Sequence, residues 1–147
     1  MDRGLAVLLT AVVGGMLATQ GPINSALGKA VGTFQGAFVS FATGTIILAV
    51  IAGLVRGGYG QIAEVRTLSP LYLVGGLLGA CYVSTALVTV RTLGAGGLVA
   101  ASIAGQLTMS VIVDQFGLLG VDKDPITVPK LLGVLLLAGG TLLVVRG

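Results

Sequence analysis

Histidine and tryptophan are missing from the 147 residues, and cysteine occurs once, as Cys81. Without histidine there is no imidazole to act as a base or a metal ligand. A single cysteine forms neither a disulfide framework nor a zinc site. No serine stands with a histidine or a paired acid, so no catalytic set is found, and the chain is not expected to be an enzyme. Its lone thiol reads as a small buried hydrophobe. No cofactor and no metal are expected.

Charge is equally scarce. Charged residues make up 9% of the chain, against about a quarter in an ordinary soluble domain. That is too little to cover a water-facing surface. The eight basic residues are scattered rather than gathered into a patch with interleaved aromatics, which excludes nucleic acid as a partner. No glycine-rich loop precedes a Lys-Ser/Thr pair, so ATP-driven pumping by this chain alone is not expected.

Aliphatic residues and glycine fill the space left. The chain is 55% hydrophobic, with a mean hydropathy of +1.08 and 25 glycines. A bilayer core about 30 Å thick is crossed by about 20 apolar residues of helix. Five runs meet that length, at about 5–27, 34–55, 70–90, 98–116 and 129–145. They are continuous rather than alternating, which disfavours a β-barrel. The first, behind Asp2-Arg3, resembles a signal peptide ending near Leu17-Ala18-Thr19. Four more runs follow it, so it is expected to be retained as a span. Ser69-Pro70 opens the third run with a capping residue and a proline at the first helical position. The connections are too short to house a soluble domain. The expectation is one all-α integral membrane domain over residues 1–147, with the lipid bilayer as its surroundings.

An odd number of spans puts the termini on opposite sides. Arg3, Arg56, Arg66, Lys123 and Lys130 would then face Lys29, Arg91 and Arg146 across the membrane. Five against three favours the N-terminus in the cytoplasm by a margin that also permits both orientations.

Small residues recur at helical spacing. Gly28, Gly32, Gly36, Ser40 and Gly44 fall at every fourth position, Gly75 and Gly79 form a second pair, and Ala101 with Gly105 a third. Lipid supplies no hydrophobic drive between helices, so close backbone approach has to hold them together. These glycines are assigned to helix packing.

Polar groups at membrane depth face the bundle or a wet cavity. Gln20 and Asn24 are one turn apart on either side of Gly21-Pro22. Pro22 donates no backbone hydrogen bond and its ring displaces the carbonyl of Ala18. Two readings stand: a kinked helix whose amides line a binding site, as in the broken helices of transporters, or a helix that ends near Thr19 followed by an interfacial turn. In the fourth run Ser102, Gln106, Ser110 and Asp114 step by four along one slowly drifting face. Asp114 is the only carboxylate in or bordering a span. It is the acidic candidate for coupling or gating, unless it pairs with a lysine or arginine at the headgroups. Tyr82 lies deep enough to line a cavity, whereas Arg91 ends the third run, as a headgroup anchor or a contact for an anionic substrate.

Several stretches together carry a resemblance. GPINSALGKAVGTFQGAFVSFATGTIIL, LLGACYVSTALVTVRTLGAGGLVAASIAGQL, VDQFGLLG and KLLGVLLLAGGTLLVV resemble the short, five-helix YdcZ-like branch of the drug/metabolite transporter superfamily, the inner-membrane exporters. The telling pieces are Asn24 after the Gly-Pro, the turn Arg91-Thr92-Leu93-Gly94-Ala95, Gly105-Gln106, and Asp114-Gln115-Phe116-Gly117. The resemblance implies a multi-pass protein of a bacterial or archaeal plasma membrane. Longer members look like two five-helix halves in opposite orientations. It therefore implies that this chain pairs antiparallel with a second copy or a sister chain into a ten-helix bundle around a central cavity. The small multidrug exporters of the superfamily use a first-helix glutamate, and this chain has no acid there.

The reading is then a transporter, an exporter of a small organic solute by alternating access. Gln20, Asn24, Tyr82 and Gln106 would line the substrate path, with Asp114 as coupling or gating residue. The alternative is a non-transporting membrane scaffold or accessory subunit, which the glycine stripes suit equally.

Overall fold

Hydrocarbon offers a peptide group no hydrogen-bond partner, so long aliphatic runs satisfy their backbones internally, as helices. The computed structural model describes residues 2–55 and 57–147. Arg56, counted above among the charges on the N-terminal side, lies outside the described residues. Four α-helices follow one another: α1 (Arg3–Val31), α2 (Thr33–Leu54), α3 (Val74–Phe116) and α4 (Val128–Arg146). Short 3-10 turns lie at Ile62–Thr67, Pro70–Leu73 and Leu118–Gly120, and there is no strand among the described residues.

All four helices are long and apolar enough to cross a membrane. Their 22 and 19 residues make α2 and α4 about 33 and 28 Å long at 1.5 Å per residue. The expectation of five spans meets four long apolar helices, the third and fourth expected spans being joined across a kink at Gly94. Helical backbone continues through residues 91–97 except at Gly94, which has φ 69° and ψ 173°. α3 thus holds 43 residues in two arms, 74–93 and 95–116, around one non-helical residue.

Local chemistry sets the helix ends. The Asp2 carboxylate accepts hydrogen bonds from the backbone N–H groups of Gly4 and Leu5, at 3.0 and 3.3 Å, which caps α1. Ser69 accepts from the Leu71 N–H at 3.4 Å, and Pro70 takes the first position of its 3-10 turn. Thr127 receives the Lys130 N–H at 3.5 Å at the start of α4.

Pro22 lies inside α1, which stays helical to Val31. The reading that ended the first helix near Thr19 is overturned. Proline deprives the Ala18 carbonyl of one hydrogen bond, whereas an open turn in apolar surroundings would strand several backbone groups. The helix breaks instead at Gly32, where φ is 100°. This interrupts the stripe from Gly28 to Gly44 as a single helical face.

The contacts divide the chain into two compact units. One comprises Gln20–Arg91. Its core is Ala37 of α2 with Val83 and Leu87 of α3, and the ring of Tyr82 packs against it. Gly36 of α2 rests on the backbone of Gly28 in α1, and Gly79 faces the Phe41 ring. The other unit comprises the residues up to Thr19 together with Thr92–Gly147. There the Thr141 hydroxyl reaches the carbonyls of Ala100 at 3.0 Å and Leu137 at 2.9 Å, joining α4 to the second arm of α3. The loop before α4 folds back on the end of α3: Asp124 N–H donates to the Asp114 carbonyl at 2.9 Å, and Ile126 N–H to Gln115 Oε1 at 2.6 Å.

Large aliphatic side chains cover the outside of every helix, and α4 has no buried residue at all. A soluble fold would turn such faces inward, whereas a bilayer solvates them.

Candidate functional site

The most polar contact inside the Gln20–Arg91 unit joins the last turns of α1 to the end of the first arm of α3. Ser25, 6% exposed, donates its hydroxyl to the Leu87 carbonyl at 3.2 Å. The same Oγ accepts from Arg91 Nε at 3.3 Å. A buried hydroxyl with both its donor and one acceptor position used is held in a single orientation. The guanidinium bound to it is held in turn.

Gly28 lies against this cluster. A β-carbon there would sit 2.8 Å from Leu87 Cδ2 and 3.5 Å from Arg91 Nη2. Leu87 is fully buried beneath it. The residue preceding Ser25 is Asn24, also 6% exposed. Its amide has no hydrogen-bond partner among the described residues. No fully enclosed side-chain nitrogen or oxygen among them lacks one. The Asn24 amide is therefore not completely enclosed.

Arg91 is bound through Nε alone, and its two Nη groups have no partner among the described residues. The ion pair among the described residues is elsewhere, between Lys130 and Asp124 at 2.6 Å. No carboxylate neutralises Arg91.

An open groove of about 750 Å³ runs beside this cluster, lined by Thr33 and Phe34 of α2 and by Cys81, Ser84, Thr85, Val88 and Thr89 of α3. These α3 positions form the stripe next to the buried one at Val83, Ala86, Leu87 and Val90. Arg91 follows Ser84 by seven residues and Val88 by three, so it stands at the end of the groove's stripe. Thr89 bonds the Thr85 carbonyl of its own helix at 3.0 Å.

Gln20, Asn24 and Tyr82 fall in this unit. Gln20 is exposed, one turn before buried Asn24, and Tyr82 is half-buried. Gln106 and Asp114 belong to the other unit, the first exposed and the second half-buried at the end of its arm. No side-chain hydrogen bond among the described residues joins any of these five to another. Of the glycines assigned to packing, Gly28, Gly36 and Gly79 meet neighbouring elements, Gly32 is the junction of α1 and α2, and Gly44, Gly75 and Gly105 have open space within 4 Å. Asp114 has no ion-pair partner among the described residues. Ser25 and Arg91 were not picked out as a pair from the sequence, and no spacing rule links them.

The family described as "Putative inner membrane exporter, YdcZ" matches residues 5–143. No curated protein and no solved structure matches the chain. A match of that extent, over helices suited to a bilayer, makes this chain a multi-pass membrane protein that belongs to the YdcZ family.

Proposed function

We propose that the chain is one half of an exporter of small organic solutes in a bacterial or archaeal plasma membrane, completed by a second copy or a sister chain inserted upside down. The two arms of α3 cross the membrane separately on either side of Gly94. This gives five crossings, termini on opposite faces, and ten helices in the pair. Gln20, Asn24, Tyr82 and Gln106 line the path between the halves, and Asp114 gates or couples it. Rocking of one half against the other around that path exposes it alternately to each side.

The observation that carries the reading is Asn24. An amide deep in a greasy helix is costly unless something polar meets it. This one is 6% exposed, has no hydrogen-bond partner among the described residues, and is not completely enclosed. Gly44, Gly75 and Gly105 also support a pair, since small residues with nothing against them suit the close approach of further helices.

Flux through proteoliposomes tests it, wild type against Asn24→Leu and Gln106→Leu. The expected result is a severe loss in both variants. Unchanged flux in both would remove these residues from the path. No flux from a correctly inserted wild-type pair would favour a scaffold. Tagging each terminus separates the pairs: both orientations for a dual-topology homodimer, one for a chain that needs an oppositely inserted sister.

A further inference from the structure

We infer that the solute this protein carries is an organic anion, whose carboxylate or phosphate is gripped by Arg91. The inference rests on the exporter reading and names its substrate class.

Arg91 is the best-placed cation in the Gln20–Arg91 unit. Its Nε is committed to Ser25, and Ser25 is committed to the Leu87 carbonyl. The guanidinium plane is therefore oriented before any ligand arrives. What remains free is its pair of Nη groups. Parallel N–H bonds of a guanidinium match the two oxygens of a carboxylate or phosphate, which a lysine's point charge does not. Arg91 has no carboxylate within salt-bridge distance among the described residues.

Asn24 supplies a second sign in the same unit. It precedes Ser25 on α1, is 6% exposed, and its amide makes no hydrogen bond to protein among the described residues. Such an amide is free to meet a polar solute or water. Gly28 keeps the space around the Arg91 tip clear of a side chain.

Local charge points the same way. Lys29 follows Ser25 by one turn on α1, and neither α1 nor the first arm of α3 contains an acid. Arg56, Glu64 and Arg66 belong to the opposite end of α2, about 33 Å away, and add nothing at the clamp.

The groove indicates the rest of the solute. It has apolar walls at Phe34 and Val88 and hydroxyls at Ser84 and Thr85, and Arg91 follows Val88 by three residues on the same helix. A compact organic body there, with its anionic end at Arg91, uses both features.

Benzoate and phenyl phosphate serve as probes, with benzamide as a neutral isostere of the first. Binding is read from thermal stabilisation of the full chain, purified in a zwitterionic detergent at neutral pH. At least one anion should stabilise wild type and benzamide should not. Arg91→Gln should weaken the anion's apparent Kd by roughly ten- to a hundredfold, the loss expected for charge-assisted hydrogen bonds. Arg91→Lys should retain part of the affinity. It keeps the proposal testable should Arg91→Gln fail to fold. Equal stabilisation by benzoate and benzamide, no stabilisation by either anion, or an unchanged Kd in Arg91→Gln would overturn the inference.

A lipid phosphate offers the same chemistry, so native mass spectrometry compares retained phosphatidylglycerol with phosphatidylcholine. Arg91-dependent retention of phosphatidylglycerol that benzoate fails to displace would also overturn it, and displacement would support it. The two readings fail separately. Anion binding through Arg91 without flux would refute the exporter and leave the anion site. Flux of a neutral solute undiminished in Arg91→Gln would leave the exporter and refute the anion.

Discussion

Replacing Gly36 by alanine tests the tightest contact between α1 and α2. A β-carbon at that position stands 2.8 Å from Gly28 Cα, 2.9 Å from the Gly28 nitrogen and 3.4 Å from the Leu27 carbonyl carbon. Non-bonded carbons settle at about 3.5–4.0 Å, so the helices must part by roughly 0.7 Å or more. All three obstructing atoms are backbone, and no side-chain rotation relieves them. Overpacking of this kind costs about 1–3 kcal/mol, and two contacts this short belong at the upper end. Alanine's helix preference over glycine returns about 1 kcal/mol. The net loss is about 2 kcal/mol, roughly thirtyfold in the folding equilibrium. Gly28→Ala is the control. Its β-carbon meets the tip of Leu87 at 2.8 Å, a side-chain methyl rather than backbone. Turning Leu87 off its rotamer costs about 0.5–1.5 kcal/mol, which the same helix preference largely offsets. Unfolding in mixed micelles by added dodecyl sulfate, followed by far-ultraviolet circular dichroism, should rank Gly36→Ala well below a Gly28→Ala variant close to wild type. Gly36→Ala matching wild type, or Gly28→Ala proving the weaker, would refute the reasoning.

Other perturbations follow from the same geometry. Leu87→Ala empties a fully buried site and should cost about 2–5 kcal/mol in the same assay; a loss under 1 would mean the core of this unit does not hold it together. Gly94→Ala meets no atom within 4 Å but forces a side chain onto φ 69°, a strain of about 1–3 kcal/mol. Gly133→Ala, equally uncrowded and helical, should be neutral or stabilising, and equal effects from the two would argue against the break at Gly94. Asp124→Asn removes an ion pair whose partners are 29% and 65% exposed; the change should stay within about 1 kcal/mol and shrink further in high salt. Cys81 is exposed on the groove. A membrane-impermeant thiol reagent should modify it in proteoliposomes with no engineered cysteine. Absence of labelling would place the groove against lipid and remove it from the solute path.

Hydropathy summed over a run needs no knowledge of what the run will touch. For that reason helices suited to a membrane were legible in the sequence, as was the start at Ser69-Pro70, where a capping hydroxyl and a preset proline φ act within two residues. The local rules were weaker where two outcomes competed. Gly21-Pro22 allowed a helix end or a helix carried through, and the continuous helix prevailed because one lost hydrogen bond costs less than an open turn in lipid. Gly32 and Gly94 could each have been one glycine among 25. Their positive φ values are visible in the backbone alone.

The candidate site divides the same way. Asn24 stood out as an amide in an aliphatic run. Ser25 beside it gave no sign of a distant partner, since a serine in a helix ordinarily bonds its own backbone. In the structure it reaches a carbonyl 62 residues away and holds an arginine 66 residues away. Composition and periodicity determined the solvent this chain requires and the helices it forms there, because solvation and helical hydrogen bonding act on neighbours along the chain. Which serine meets which arginine, and which glycine lies against which backbone, was decided by the fit of helix surfaces distant in sequence, and only the tertiary structure contains that fit.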